Sequence, residues 1–64
     1  MGTNKDILYE AIDTENEAKA AESRRDFNLA ARLYQQAAGL YSDADLTSDA
    51  ARCRSIANLV DDSV

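Results

Sequence analysis

The sequence predicts an all-α fold: a small antiparallel three-helix bundle with helices at about residues 4–24, 27–41 and 48–62. The chain has no proline and only two glycines among 64 residues, and it is rich in alanine and other helix-favouring residues. Apolar residues recur at spacings of three and four. Two short polar segments divide these periodic stretches, and connections this short place neighbouring helices antiparallel. We therefore expect residues 1–64 to form one domain, either a whole protein or a unit of a longer chain.

The first predicted helix follows an amino-terminal segment, residues 1–4, that has no periodic signal. Thr3 or Asn4 is expected to cap it, and Asp6 places a negative charge in the first turn, where it complements the helix dipole. The apolar stripe changes from bulky to small side chains along the helix. A second helix should therefore approach most closely near the carboxyl end. The stripe contains Ile7, Leu8, Ala11, Ile12, Ala18 and Ala21.

The second predicted helix has two apolar stripes and so needs a neighbour on each side. The tyrosine stripe, expected to pack on the first helix, contains Phe27, Ala30, Ala31, Tyr34, Ala37, Ala38 and Tyr41. The leucine stripe, expected to face the third helix and a binding partner, contains Leu29, Leu33 and Leu40. Asp26 is the expected cap. Gly39 is either an early stop or a flat spot where another helix crosses, and we expect the flat spot because Leu40 and Tyr41 continue the stripes.

The third predicted helix follows a polar loop at residues 42–45, and Thr47, Ser48 or Asp49 is expected to cap it. It should pack antiparallel to the second helix and roughly parallel to the first. Its apolar stripe contains Ala50, Cys53, Ala57, Val60 and Val64, flanked by Ile56 and Leu59.

Charge and composition exclude several classes of function. A net charge of −5, from seven basic and twelve acidic residues, argues against binding to nucleic acid or to anionic membranes. No apolar run approaches the roughly 20 residues of a membrane-spanning helix, and the amino terminus lacks signal-peptide features. Cys53 is the single cysteine, so no internal disulfide is possible and a reducing compartment is expected. We therefore expect a cytoplasmic protein.

No group of residues predicts catalysis, a metal or a cofactor. The chain has no histidine, and most acidic residues fall on predicted solvent faces. Asp61 and Asp62 point about 100° apart on a helix, which does not suit chelation of one ion. Cys53 lies on an apolar stripe without a base to activate it, so it is interpreted as a small buried side chain. We expect a protein that is not an enzyme.

Part of the sequence resembles the microtubule-interacting and trafficking (MIT) domain, and it is also similar to the related tetratricopeptide helical hairpin. The resemblance covers about residues 7–60. It rests on residues 11–13, Ala18, Glu22, Asp26-Phe27, Ala30, residues 33–37 and residues 51–53. The chain departs from these families in having Arg25 where the turn usually contains glycine, and in ending its third helix with residues 58–62. The three-helix count favours the MIT domain, because a single tetratricopeptide unit cannot bury its own faces.

The resemblance implies a non-catalytic docking module that binds a short amphipathic peptide in a groove between helices, as in the MIT domains that act in membrane trafficking and endosomal sorting. The groove can lie between the second and third helices or between the first and third. We expect a partner with basic residues flanking its apolar anchors. The expected peptide-binding residues are Leu33, Leu40, Tyr41, Asp43, Arg52, Ile56, Asn58, Leu59 and Asp61.

Two alternatives stay open at the level of sequence. The leucine stripe is equally suited to meet a second copy of the chain, which would make the protein a self-associating structural element. Tyr34 is expected in the core with its hydroxyl at the rim, whereas Tyr41 suits the core and the binding groove equally well.

Overall fold

The computed structural model describes residues 3–62, with side chains from Lys5 onward, and it confirms the all-α three-helix fold. The three helices are α1 (Thr3–Ser23), α2 (Phe27–Asp43) and α3 (Thr47–Asp62). Their bounds differ from the predicted ones by at most two residues at either end. The predictions for Met1, Gly2 and Val64, and for capping by the side chains of Thr3 and Asn4, lie outside the described residues.

The helices pack in sequence-adjacent pairs, with α2 in the middle. α1 packs along α2 and α2 along α3, whereas α1 and α3 approach each other far less. α1 and α2 are antiparallel. Tyr41, late in α2, bonds to Glu15 of α1, whereas Tyr34, earlier in α2, bonds to Glu22, which lies later in α1. The result is a flat bundle with extents of 39 × 18 × 11 Å.

The core is built mainly from alanine. Small side chains let the helices approach closely, as the change in side-chain size along α1 predicts. Both tyrosines of α2 are buried, which confirms the core position of Tyr34 and decides the alternative left open for Tyr41. Ile12 was expected in the apolar stripe of α1, but it is 39% exposed because its position turns outside the surface that faces α2. The buried alanines are Ala11, Ala18, Ala21, Ala30, Ala31, Ala37, Ala38, Ala44, Ala50 and Ala57.

The tyrosine stripe of α2 contacts both neighbours, not α1 alone as predicted. One buried cluster joins Tyr34 to Ala18 and Ala21 of α1 and to Ala57 and Val60 of α3. A second cluster places Tyr41 with Ala11 of α1 and with Ala50 and Cys53 of α3. The leucine stripe is half-buried at the edges of these clusters.

The two turns have the same backbone geometry. In the first, the amide of Asp26 donates to the carbonyl of Ala21 at 2.9 Å and the amide of Arg25 to that of Glu22 at 2.9 Å. In the second, the amide of Leu46 donates to the carbonyl of Tyr41 at 2.8 Å, and the amide of Asp45 donates to the carbonyl of Ser42 at 3.0 Å. This pair of bonds is the Schellman motif, which places its penultimate residue in the left-handed region. Arg25 (φ 64°) and Asp45 (φ 65°) occupy that position, so the turn keeps its usual form without glycine.

The side-chain caps predicted for α2 and α3 are wrong. Asp26 occupies the N-cap position of α2, but its carboxylate makes no capping hydrogen bond, because its backbone (φ −87°, ψ 73°) belongs to the preceding turn. α3 begins at Thr47, so Thr47, Ser48 and Asp49 all lie within the helix. The carbonyl of Leu46 accepts the first helical hydrogen bond, from the amide of Ala50 at 3.0 Å.

Gly39 is neither a helix stop nor a crossing point. α2 continues four residues past it, to Asp43. A Cβ atom at this position would meet nothing within 4 Å, so no helix of this bundle crosses α2 at Gly39.

We expect Gly39→Ala to raise the free energy of unfolding by about 1 kcal/mol, because glycine inside a helix carries that cost and a methyl group fits here without contact. Urea denaturation measures the change. Ala51→Gly, at an exposed position within α3, is the mirror control and should lower stability by a similar amount. If Gly39→Ala and the unmodified chain were equally stable, glycine at this position would not destabilise the helix and the prediction would be wrong.

Arg25→Gly is expected to stabilise the fold by about 1 kcal/mol, since glycine adopts the left-handed conformation without the steric cost of a Cβ atom. Arg24→Gly removes the same charge one residue earlier, where φ is not positive, and should not stabilise. Thermal and urea unfolding of both variants test this. The prediction is wrong if the two substitutions have the same effect.

Candidate functional site

The carboxylate of Glu15 joins all three helices. Its Oε1 accepts a hydrogen bond from the Tyr41 hydroxyl at 2.7 Å, and its two oxygens accept from both terminal nitrogens of Arg52 on α3. Lys19, one turn along α1, adds a fourth contact at 4.0 Å. Glu15 is only 6% exposed, whereas nearly half of the Arg52 side chain reaches solvent. Glu15 therefore forms an ion pair that is buried on the acid side and open on the basic side.

The electrostatics of this cluster follow from its contacts. Hydrogen bonds from Arg52, assisted by the Tyr41 hydroxyl, lower the pKa of Glu15 against the opposing effect of burial. Burial, together with the bond to Glu15, raises the pKa of Tyr41 to about 12. The guanidinium of Arg52 also lies 5.9 Å from the centre of the Tyr41 ring, within the range of a cation–π contact. At neutral pH Glu15 is therefore ionised, Tyr41 is neutral and Arg52 is protonated.

A second tyrosine–carboxylate pair connects α1 and α2 two turns away. The hydroxyl of Tyr34 donates to Oε1 of Glu22 at 2.9 Å. Burial raises the pKa of Tyr34 to about 12, with a further contribution from Glu22. Glu22 itself is half-buried and lines a depression in the surface.

Beside this pair the three helices leave an apolar notch with a volume of about 340 Å³. One wall comes from each helix, and the lining is mostly aliphatic or aromatic. Leu59 is 68% exposed there. We use the name apolar notch for the depression formed by Glu22, Phe27, Tyr34, Ile56, Leu59 and Val60.

Two further depressions lie elsewhere. A polar depression of about 360 Å³ is bounded by Gln35 of α2 and by Arg54 and Asn58 of α3. A third one, of about 410 Å³, lies between α1 and α2, and we call it the acidic groove. It is formed by Glu10, Thr14, Gln36, Gly39, Leu40 and Asp43.

The structure distributes the predicted peptide-binding residues over several surfaces. Ile56 and Leu59 come together in the apolar notch, Asn58 borders the polar depression, and Leu40 and Asp43 belong to the acidic groove. Leu33 is half-buried at the edge of a core cluster, and Asp61 is exposed near the end of α3. These residues therefore do not form one groove between α2 and α3.

Two of the predicted binding residues have internal roles. Tyr41 is 4% exposed and bonded to Glu15, so the core interpretation replaces the binding interpretation for this residue. Arg52 bonds to Glu15 and also contacts Asp49 at 3.4 Å, so its guanidinium links α3 to α1.

Sequence reasoning missed the roles of two carboxylates, those of Glu15 and Glu22, which accept hydrogen bonds from the tyrosines of α2. Glu15 follows Ala11 by four residues and precedes Ala18 by three, so its spacing places it in the apolar stripe of α1. Its charge alone suggested a solvent face. An acid at an apolar register position, opposite tyrosines of the next helix, is the signal that would have found it.

Other candidate chemistry is limited in the described part of the chain. Burial raises the pKa of the Cys53 thiol and keeps it in the uncharged form. Among residues 3–62, no three potential ligands are grouped so that they could hold a metal ion, and no helix is long and apolar enough to cross a membrane.

Comparison with known proteins adds no assignment: no family model matches the chain, and no significant match is found among curated proteins or solved structures. What is established is a three-helix all-α domain.

Glu15→Gln should lower the free energy of unfolding by about 2 kcal/mol at neutral pH, because hydrogen bonds to a charged group are lost and an amide nitrogen then faces Arg52. The pKa of folded Glu15 lies below its usual value of 4.5, so its stabilising effect is complete above that value and disappears as pH falls through the folded pKa. The stability gap between the two proteins should therefore narrow in acid.

Chemical denaturation over a pH series measures this gap. Asp49→Asn provides the control, since Asp49 also bonds Arg52 but its side chain is 43% exposed, against 7% for Glu15, and it should change stability much less. A gap that stays constant with pH would show that the ionised form of Glu15 is not the stabilising species.

Proposed function

We propose that this domain is a non-catalytic docking module that binds a short amphipathic segment of a partner protein in the apolar notch. The observation that carries the proposal is the notch itself, where apolar side chains of α2 and α3 meet the half-buried acidic residue Glu22. An apolar anchor of the partner can enter the notch while a basic side chain pairs with Glu22. This arrangement uses the surface between α1 and α3.

The local charge supports a partner with basic flanks. Glu22 borders the notch, Asp26 immediately precedes Phe27, and Asp61 and Asp62 follow Leu59 by two and three residues. Arg24 and Arg25, in the turn, are the bases adjacent to this end of the bundle. The acids outnumber them, in line with the net charge of −5. Complementary charge of this kind contributes more to association rate and selectivity than to affinity.

The small size of the notch supports weak binding. A volume of about 340 Å³ accommodates one or two large side chains of a partner, and it is an open depression on a thin domain. Interfaces well below the standard size are typical of transient encounters, with dissociation constants in the micromolar range or weaker. The sequence resemblance of residues 7–60 to the MIT domain points to the same role, and we propose a cytoplasmic location with it.

We expect helical peptides with leucine anchors and lysine flanks to shift the amide signals of notch residues, and Leu59→Ser to weaken binding roughly tenfold through the lost apolar contact. Nuclear magnetic resonance titration measures both. Tyr9→Ser is the matched control, because Tyr9 is also a large exposed side chain (57%) but lies outside the notch. Equal loss of binding in both variants, or shifts that avoid the notch, would reject the proposal.

Self-association is a second candidate, and the exposure of Tyr9 and Ile12 on α1 favours it. These side chains lie on a different surface from the notch and would be covered by a second copy. Analytical ultracentrifugation over a range of concentrations tests this candidate. A strictly monomeric protein at high concentration would remove it and would leave the docking proposal intact.

A further inference from the structure

The acidic groove lies on the face of the bundle opposite the Glu15 cluster. Gly39, in the groove, and Tyr41, in the cluster, are two residues apart on α2, which corresponds to roughly 200° of rotation around a helix. The groove is therefore separate from the apolar notch, which adjoins the tyrosine stripe. Its volume of about 410 Å³ exceeds that of the notch.

The charge of this surface has one sign along most of its length. Glu10 and Asp43 are its charged lining residues, one from each helix. On α1 the row continues in both directions: Asp6, Glu10, Asp13 and Glu17 are all exposed and follow one another at spacings of four, three and four residues. They form one stripe roughly 17 Å long. On the same face of α2, Arg32 lies seven residues before Gly39 and marks where the acidic surface ends.

Gly39 gives this groove an opening that no other position on α2 has. It is exposed, it lies in a regular helix, and its missing side chain faces empty space. No contact inside the described structure requires glycine here, although glycine weakens a helix relative to alanine. The bare backbone lets another chain approach α2 more closely than any side chain would permit. Leu40, next to it, offers an apolar contact.

We infer that the acidic groove is a second docking surface, which binds the lysine-bearing face of an amphipathic helix from a partner protein. A helix lying alongside α1 presents lysines at the same spacings of four and three as the acids of α1, so the two rows pair along their length. Its small or apolar side chains pack over Gly39 and against Leu40. The binding is weak and falls with added salt, because the charged groups are exposed.

The test uses a synthetic helical peptide in which lysines repeat at spacings of four, three and four beside a row of alanines and leucines. A second peptide has glutamate in place of each lysine. The first should shift the amide signals of Glu10, Thr14 and Gly39 in a nuclear magnetic resonance titration, and the second should not. Shifts of the same size with both peptides would show that charge does not select the partner and would overturn the inference.

Two pairs of variants locate the binding. Gly39→Gln fills the opening with a helix-compatible polar side chain and should weaken binding roughly tenfold, whereas Gly39→Ala should have a much smaller effect. Glu10→Lys should weaken binding by several fold, and Ala51→Lys, which adds a positive charge at an exposed position of α3 outside both surfaces, should weaken it much less. Helical circular dichroism confirms that each variant is folded.

Failure here can be separated from failure of the proposed function. Leu59→Ser removes a side chain of the notch and should leave lysine-peptide binding to the groove unchanged. If the peptide shifts only notch signals and Leu59→Ser abolishes those shifts, the second surface is overturned and the docking role of the notch stands. If neither surface responds, both proposals are rejected.

Discussion

The buried carboxylate of Glu15 is the interaction on which the arrangement of the three helices depends. α1 and α3 pack directly on α2 but hardly on each other, and this carboxylate bonds to Tyr41 of α2 and to Arg52 of α3 at once. It is the one buried charged side chain among the residues that the structure describes. Because it is fully satisfied by its partners, its burial does not leave an isolated charge, which would be very costly. The pair of Glu15 and Arg52 is therefore a side-chain link between the two outer helices.

The alanine-rich core explains why such a polar contact matters. Alanine permits close helix packing but removes little apolar surface from water, and each buried methyl or methylene group contributes only about 0.8 kcal/mol. Tyr34 and Tyr41 supply most of the buried aromatic surface, and each carries a hydroxyl that needs an acceptor. Glu22 and Glu15 are those acceptors. Both contacts thus allow large side chains into a thin core, and the contact between Tyr34 and Glu22 also borders the apolar notch.

The sequence predicted the fold well and the candidate site poorly, for physical reasons. Helical periodicity and two short polar breaks were enough for three helices and their order. Periodicity assigns residues to a face of a helix but not to the neighbour that covers it, so Leu40 was placed beside α3 although it borders a groove with α1. Glu15 was missed because its charge outweighed its register position. Side-chain capping by Asp26 was wrong because backbone bonds of the preceding turn already define that position.

The two turns, at Arg25 and Asp45, are twenty residues apart. They have the same pattern of backbone hydrogen bonds, and in each turn the residue at the equivalent position has a left-handed backbone conformation. The chain therefore reverses direction after α1 and after α2 through the same kind of backbone turn. Apart from the pair of Glu15 and Arg52, α1 and α3 make few contacts with each other, so the bundle is held together mainly by the packing of each outer helix on α2. One form of turn without glycine thus serves both reversals of the chain, with arginine in one and aspartate in the other at the left-handed position.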